Sequence, residues 1–411
     1  MDSVVLLHLL QSIAPRFQWR LSALHVHHGI SPNADVWSEF CVNLCEQYSI
    51  SWQVERVNIA SLRDEHGVEA AARKLRHKVF LNQVCDFVAL AHHADDQAET
   101  LLLQLLRGAG VKGVSAMPVL KPANLRMHAT VRPLLDVSRE QLRDYATQNG
   151  LSWIEDESNA DVRYPRNFLR HQILPELREC FPQYRETLAR SAQHFAEAGR
   201  LMDELAQLDA SQAFDGKTLD VSALRSLSHV RAKNLLRYFL HVRGAAMPQS
   251  VQLEDMLNQL CDAREDAALC VAFGDWEVRR YQGRVYVMHA LRDFDSTAIL
   301  AWLGESGLQW PALGARILFS ELSGKGISLD KLKGEQISLR LRSGGESMRL
   351  HFKGANRSLK NILQESHVPP WQRERLPLLY RGGELVAVVG VAIHADYQAA
   401  AGEESLLVSL E

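Results

Sequence analysis

Strand and helix patterns alternate through the first 160 residues, and no other feature narrows the fold as much. LSALHVHHG (21–29) and DFVALAHH (86–93) read as buried strands, and SWQVERV (51–57) alternates as a third. Helical patterns separate them, over residues 3–13, from Ser31-Pro32 to about Tyr48, over 68–84, and from the end of the third strand to about Arg107. Serine followed by proline is a helix-start signal, because proline's fixed φ and missing N–H suit the first helical position. This order predicts an α/β domain built on a doubly wound parallel sheet. Ligands of such sheets bind outside the carboxyl ends of the strands.

Beyond residue 135 helical patterns dominate 138–149, 166–210, 222–243 and 250–264, and VAFGDWEVRRYQGRVYVMH (271–289) reads as a hairpin pair. From about residue 293 the chain turns β-rich, with RSGGE (342–346) and RGGE (381–384) as turns. A chain of 411 residues is too long for one core. We therefore expect a catalytic domain over 1–186, a mainly helical domain over 187–295, and a small α+β domain over 296–411 with a linker at 296–335.

The net charge of -3 excludes a globally basic nucleic-acid binder, so any basic surface must be local. The six cysteines (41, 45, 85, 180, 261, 270) form no CxxC pair, which reads as reduced structural cysteine, with Cys41 and Cys45 on one helix face. The apolar run VVLLHLL follows only Met1, Asp2 and Ser3, so it lacks the basic segment of a secretory signal. No stretch approaches the roughly 18–20 apolar residues of a membrane span, and the expectation is a cytoplasmic protein.

The strongest chemical signal is HHADDQAET (92–100), at a strand end running into a helix. Asp95, Asp96 and Glu99 are three and four apart, so they share a helix face and repel one another unless a cation sits among them. Mg²⁺ with ATP phosphates, held by Asp95 and Asp96, is one such cation, and a substrate ammonium is another. GVEAAARKLRH (67–77) carries Arg73, Lys74 and Arg76 on a helix. WIEDESN and RYPRNFLRHQILP (153–175) set Glu155, Asp156 and Glu157 beside Arg163, Arg166 and Arg170. At the start, Asp2-Ser3 leads into an apolar helix, either as a plain cap or as part of a phosphate site at the helix N-terminus.

HVHHGIS (25–31), GVEAAAR, HHADDQAET, RPLLD (132–136), WIEDESN and RNFLR, in this order, closely resemble the tRNA(Ile)-lysidine synthetases, N-type ATP pyrophosphatases with an adenine nucleotide alpha hydrolase-like fold. The resemblance implies ATP- and Mg²⁺-dependent adenylation of the C2 oxygen of the wobble cytosine in a minor isoleucine tRNA with a CAU anticodon. The ε-amine of free L-lysine then displaces AMP to give lysidine. Carried over by motif, Met1, Asp2, Ser3, His27 and Arg73 belong to ATP binding, and Asp2, Asp95, Asp96 and Glu99 to catalysis. Arg166, Asn167 and Arg170 fall to phosphate or base contacts. In this superfamily the phosphate loop is a strand followed by Ser-Gly-Gly-x-Asp-Ser. Met1-Asp2-Ser3 matches its last three positions, so the chain is expected to start within that loop.

The segment from Arg340 to Arg375 holds eight Arg or Lys against three Glu, a basic run with Phe352 interleaved. Arg340, Arg342, Arg349, Lys353, Arg357 and Lys360 are its candidate tRNA contacts, with recognition by shape and exposed bases. Arg231, Lys233, Arg237, Arg279 and Arg280 touch phosphates or lie on the surface. Two alternatives stay open: a tRNA-binding chain that cannot turn over ATP, and another ATP pyrophosphatase ligase acting on a small metabolite. No membrane partner is expected, and a homodimer is allowed.

Overall fold

The alternating half folds as two parallel strand pairs connected through helices. The computed structural model describes residues 1–59, 67–123, 128–264 and 269–411, and the side chains of Glu69 and Ala70 in the GVEAAAR run lie outside that description. The chain divides into two compact units, Met1–Leu208 and Asp209–Glu411. In order, the first holds α1 (Asp2–Phe17), β1 (Ser22–His27), α2 (Ala34–Gln47), β2 (Ser51–Arg56), α3 (Val68–Leu81), β3 (Phe87–Ala89) and α4 (Ala94–Leu106). There follow α5 (Val111–Val114), β4 (Leu120–Lys121), β5 (Ala129–Val131), α6 (Arg139–Gln148), α7 (Pro165–Phe168), α8 (Leu174–Cys180) and α9 (Tyr184–Ala210), whose last two residues fall in the second unit. β1 runs parallel to β2, from Ser22 opposite Ser51 to His27 opposite Arg56, and β3 runs parallel to β5. β4 adds to β5 antiparallel.

Three local expectations change. β1 and β3 are not buried strands: of β1 only His27 is buried, and Phe87 at the start of β3 is 60% exposed. Short two- and three-stranded ladders give helices little surface to cover on both faces. α1 is not buried all round against a sheet; Val5 and Leu6 pack with Leu142 and Ala146 of α6 and with Leu134, while Ile13 and Phe17 are exposed. α2 opens at Ala34 and not at Pro32; Ser31 Oγ accepts from the Asn33 N–H at 3.0 Å in the turn before it and donates to Glu157 at 2.7 Å. Cys41 and Cys45 do share α2, Cys45 is buried, and all six cysteines are free.

In the second unit, α10 (Val221–Ser226), α11 (His229–Val242) and α12 (Ser250–Asp262) share one core with a four-stranded antiparallel sheet. That sheet comprises β6 (Leu219–Asp220), β7 (Cys270–Phe273), β8 (Trp276–Tyr281) and β9 (Arg284–His289), in the order β6-β9-β8-β7. The hairpin pair is thus a three-strand meander turning at Gly274 and Gly283, whose φ values of 56° and 73° suit glycine. Residues 296–335 are not a linker, since they supply Ile299–Trp302, Gly307–Trp310, Ala315–Ser323 and Ile327–Ser328 to two antiparallel sheets. Glycine-broken strands of this length read as irregular in sequence, and only ladder partners distant in the chain, such as Glu404–Leu410, make them strands.

Candidate active site

The site lies where β3 hands over to α4. His93 caps α4 in a reciprocal box: its backbone N–H donates to Asp96 Oδ2 at 3.1 Å, and its Nδ1 accepts from the Asp96 N–H at 3.4 Å. This aims Asp95, Asp96 and Glu99 inward, with Glu99 fully buried. The cations among them are arginines. Glu99 accepts from Arg166 Nε and Arg170 Nε, both at 2.6 Å, and from Arg170 Nη2 at 3.0 Å. Asp96 Oδ1 accepts from Arg166 Nη2 at 2.7 Å and Arg170 Nη2 at 3.4 Å. Asp95 takes Arg185 Nε at 2.6 Å and the Arg139 N–H at 2.8 Å. Arg166 and Arg170 come from α7 and from the π-helical turn Leu169–Ile173 that continues it, a four-residue spacing that stacks both on Glu99.

Asp2 faces this network from the first turn of α1, with Oδ2 3.7 Å from His93 Nε2. It is no helix cap: α1 is capped by Met1 without a side-chain bond, and Asp2 Oδ1 is buried with no hydrogen-bond partner among the described residues. Burial pushes the Asp2 carboxyl up, but the His93 hydrogen bond and charge, the terminal ammonium and Arg139 together hold it below the usual range. Burial likewise works against a charged His93, yet Asp2, Asp96 and Asp95 raise its pKa overall. The neighbouring His92 goes the other way, to about 4, through burial and then the nearby Arg132, Arg166 and Arg76. Arg132 Nε donates to His92 Nδ1 at 3.2 Å, a bond that needs the neutral ring.

Other predicted residues are placed less directly. His27 ends β1 buried, 3.2 Å from Asp35 and 3.4 Å from Arg56. Arg73 is exposed on α3, and burial first and the Arg73 charge second lower the pKa of both Arg132 and His77. Asn167 is buried and gives its amide to the carbonyls of Ser158 and Asp161 at 2.9 and 3.0 Å, so it staples its own loop. The acidic run does not join the arginines of 163–170: Asp156 caps a 3₁₀ turn, Glu157 binds Ser31, and Arg163 pairs with Asp161. Each oxygen of Asp95 and Asp96 already accepts a hydrogen bond from protein, so a Mg²⁺ held there would take their remaining lone pairs. Among the described residues no group of three His, Cys, Asp or Glu is arranged around a metal position.

In the second unit, Arg340 stacks over Tyr380 at 4.6 Å and donates to the Gly382 carbonyl at 2.7 Å. Arg342 lies 3.6 Å from Glu346, Arg349 holds Asp396 at 2.6 Å, and Arg357 is bound to Glu365. Lys353 and Lys360 are exposed. Two site residues escaped the sequence reading. Arg185 is 90 positions from Asp95, inside a helical run with no motif, and Arg132 stands in RPLLD, where nothing but family likeness marked the spot.

Comparison with known proteins places these features in order. A PP-loop domain model matches residues 1–177, a TilS substrate binding domain model matches 219–286, and a TilS substrate C-terminal domain model matches 337–410. The tRNA(Ile)-lysidine synthase of Nitrosomonas europaea is 43% identical over 99% of this chain and 89% of its own. Its Coxiella burnetii counterpart is 38% identical over 98% and 89%, and that of Azoarcus 41% over 99% and 88%. The chain belongs to the tRNA(Ile)-lysidine synthase family. Within this synthase the PP-loop match, which implies use of ATP, takes in Asp2, His93, Asp95, Asp96, Glu99, Arg166 and Arg170. Arg185 lies eight residues beyond it. No described helix of this synthase is long and apolar enough to cross a membrane.

Proposed function

We propose that this chain joins free L-lysine to C2 of the wobble cytosine of an isoleucine tRNA with a CAU anticodon, in the cytoplasm. Family membership over nearly the full length is the observation that carries this reading. The C2 oxygen of cytosine is a poor leaving group, so activation comes first: that oxygen attacks the α-phosphorus of ATP and pyrophosphate leaves. The lysine ε-amine then adds at C2 and AMP departs with the oxygen. Lysine carries its proton near about pH 7, so a carboxylate-lined edge must first hold the ammonium and then let the proton go.

The residues divide by what their atoms have left to give. Asp2, with Oδ1 buried and unpartnered, fits Mg²⁺, which arrives on phosphates and needs about one or two carboxylates. Ser3 offers its backbone N–H and Met1 its terminal ammonium at the start of α1, where the helix dipole favours phosphate. His27 and Arg73 line the ATP side in this reading. Asp95, Asp96 and Glu99 act by holding Arg185, Arg166 and Arg170, whose uncommitted guanidinium edges face phosphate or base. Asn167 keeps that loop in place. Arg340, Arg342, Arg349, Lys353, Arg357 and Lys360 supply the tRNA surface.

Pyrophosphate release measured with ATP, lysine and tRNA, each left out in turn, tests the reading. Release should require tRNA, stop at one equivalent without lysine and turn over only when lysine is added, and Asp95→Ala should abolish lysine incorporation. Release with a small metabolite and no RNA would favour another ligase, and wild-type incorporation by Asp95→Ala would remove the carboxylate network from the mechanism.

A further inference from the structure

A cavity of about 960 Å³ opens in the second unit, between the end of β8 and the segment from Gln364 to Arg375. Its volume lies at the upper end of the ~300–1,000 Å³ typical of small-ligand sites. Five arginines line it (279, 280, 292, 373 and 375) against two carboxylates, Asp293 and Glu374. Arg279 is balanced by Glu277 at 2.8 Å. Among the described residues, three others are held by neutral acceptors. Arg280 donates to the carbonyls of Leu260 and Ala263 at 3.0 and 2.7 Å, Arg373 to the Val368 carbonyl and the Tyr281 hydroxyl at 2.8 and 2.9 Å, and Arg375 to the Arg292 carbonyl. Among the described lining residues five arginines thus face two carboxylates, and the cavity wall carries a net positive charge.

Two buried donors there lack partners among the described residues: Nε of Arg280, a residue only 3% exposed, and Nε1 of Trp371. A buried donor without a partner costs about 1–3 kcal/mol, so a cavity that keeps two of them favours a ligand rich in acceptors. Aromatic surface completes the lining. Trp371 meets Tyr281 and Tyr286 edge-on with centroids 6.2 and 5.2 Å apart, and Arg375 lies over Phe294 at 4.3 Å. Cationic donors beside aromatic rings suit a planar base bearing a phosphate, and suit a peptide or a bare lipid headgroup less well.

We propose that this cavity binds one nucleotide, an aromatic base with its phosphate, at a place separate from the Asp2–Glu99 site. The proposal stands on the cavity alone and does not depend on the lysidine reading. The nucleotide is either free or an unpaired residue of an RNA, and the test separates these sources. The full-length chain is photolabelled with 8-azido-AMP, and labelled peptides are mapped by mass spectrometry. Label is expected on peptides from 279–294 or 364–375 as well as on the first unit. Trp371→Phe, which keeps a ring and removes the donor, should cut labelling of those peptides roughly fivefold to tenfold. Arg375→Gln, a second and independent variant, should cut it roughly tenfold, and circular dichroism checks that both fold. Displacement of the label by a short unpaired RNA assigns the site to RNA, and persistence of the label assigns it to a free nucleotide; either supports the cavity. Label confined to the first unit, or labelling at 279–294 and 364–375 that neither variant changes, would overturn the proposal.

Discussion

Replacing Glu99 by Gln should destabilise the heart of the first unit while leaving its shape intact. Glu99 is fully buried and accepts three guanidinium hydrogen bonds at 2.6, 2.6 and 3.0 Å. Glutamine keeps the volume but removes the charge and turns one acceptor into an N–H₂ group facing N–H donors. Breaking a buried ion pair costs about 3–5 kcal/mol. The lower end applies here, because Asp96 Oδ1 still holds Arg166 at 2.7 Å and the two arginine side chains are 24% and 19% exposed to relieving water. About 3 kcal/mol is roughly a hundredfold in a local opening equilibrium. With two units in the chain a single global transition is ill-defined, so the assay is amide hydrogen exchange across α4 and α7. Exchange in α4 should speed up about a hundredfold, and Arg170→Gln in the same chain should add less than its own separate effect, the mark of coupling. Exchange within threefold of wild type, or full additivity, would show that the arginines do not depend on Glu99.

Two further outcomes are expected. His92, with its pKa held near 4, should be neutral from pH 5 upward in ¹⁵N-edited NMR, with Nδ1 unprotonated toward Arg132. Because the folded value lies below the unfolded one of about 6.5, this site's contribution is complete above about pH 6.5 and is lost as pH falls toward 4. His92→Gln should flatten first-unit stability over that window, and an unchanged slope would contradict the burial argument. Lys353→Ala with Lys360→Ala should weaken tRNA binding and lower the slope of log affinity against log salt by about one per lysine, measured by filter binding. An equal slope would place RNA elsewhere. Exposed lysines are the better choice for this test, since Arg349 and Arg357 already spend their charge on Asp396 and Glu365.

The carboxylate trio was legible in sequence because helix periodicity places residues three and four apart on one face, and HHADDQAET carries that spacing within nine residues. What balances it was not legible in the same way. A cation was demanded by electrostatics, but Mg²⁺, an ammonium and a guanidinium satisfy that demand equally at the level of charge. Arg166 and Arg170 lie in a motif whose family likeness implies phosphate or base contacts, while Arg185 lies in none. The same limit separates Arg279 and Arg280: adjacent in sequence, one pairs with Glu277 while the other is buried beneath a cavity.

The sequence by itself determined the strand–helix order of the first unit, the carboxylate face of α4, the turns at glycine and the family, all of which depend on neighbours a few residues apart or on motif order. Tertiary structure decided which partner each charge found, how much of β1 and β3 is covered, and that residues 296–335 join sheets. Local backbone preference acts over one or two helical turns, whereas a salt bridge or a ladder is settled by whatever residue the rest of the chain brings within about 3 Å.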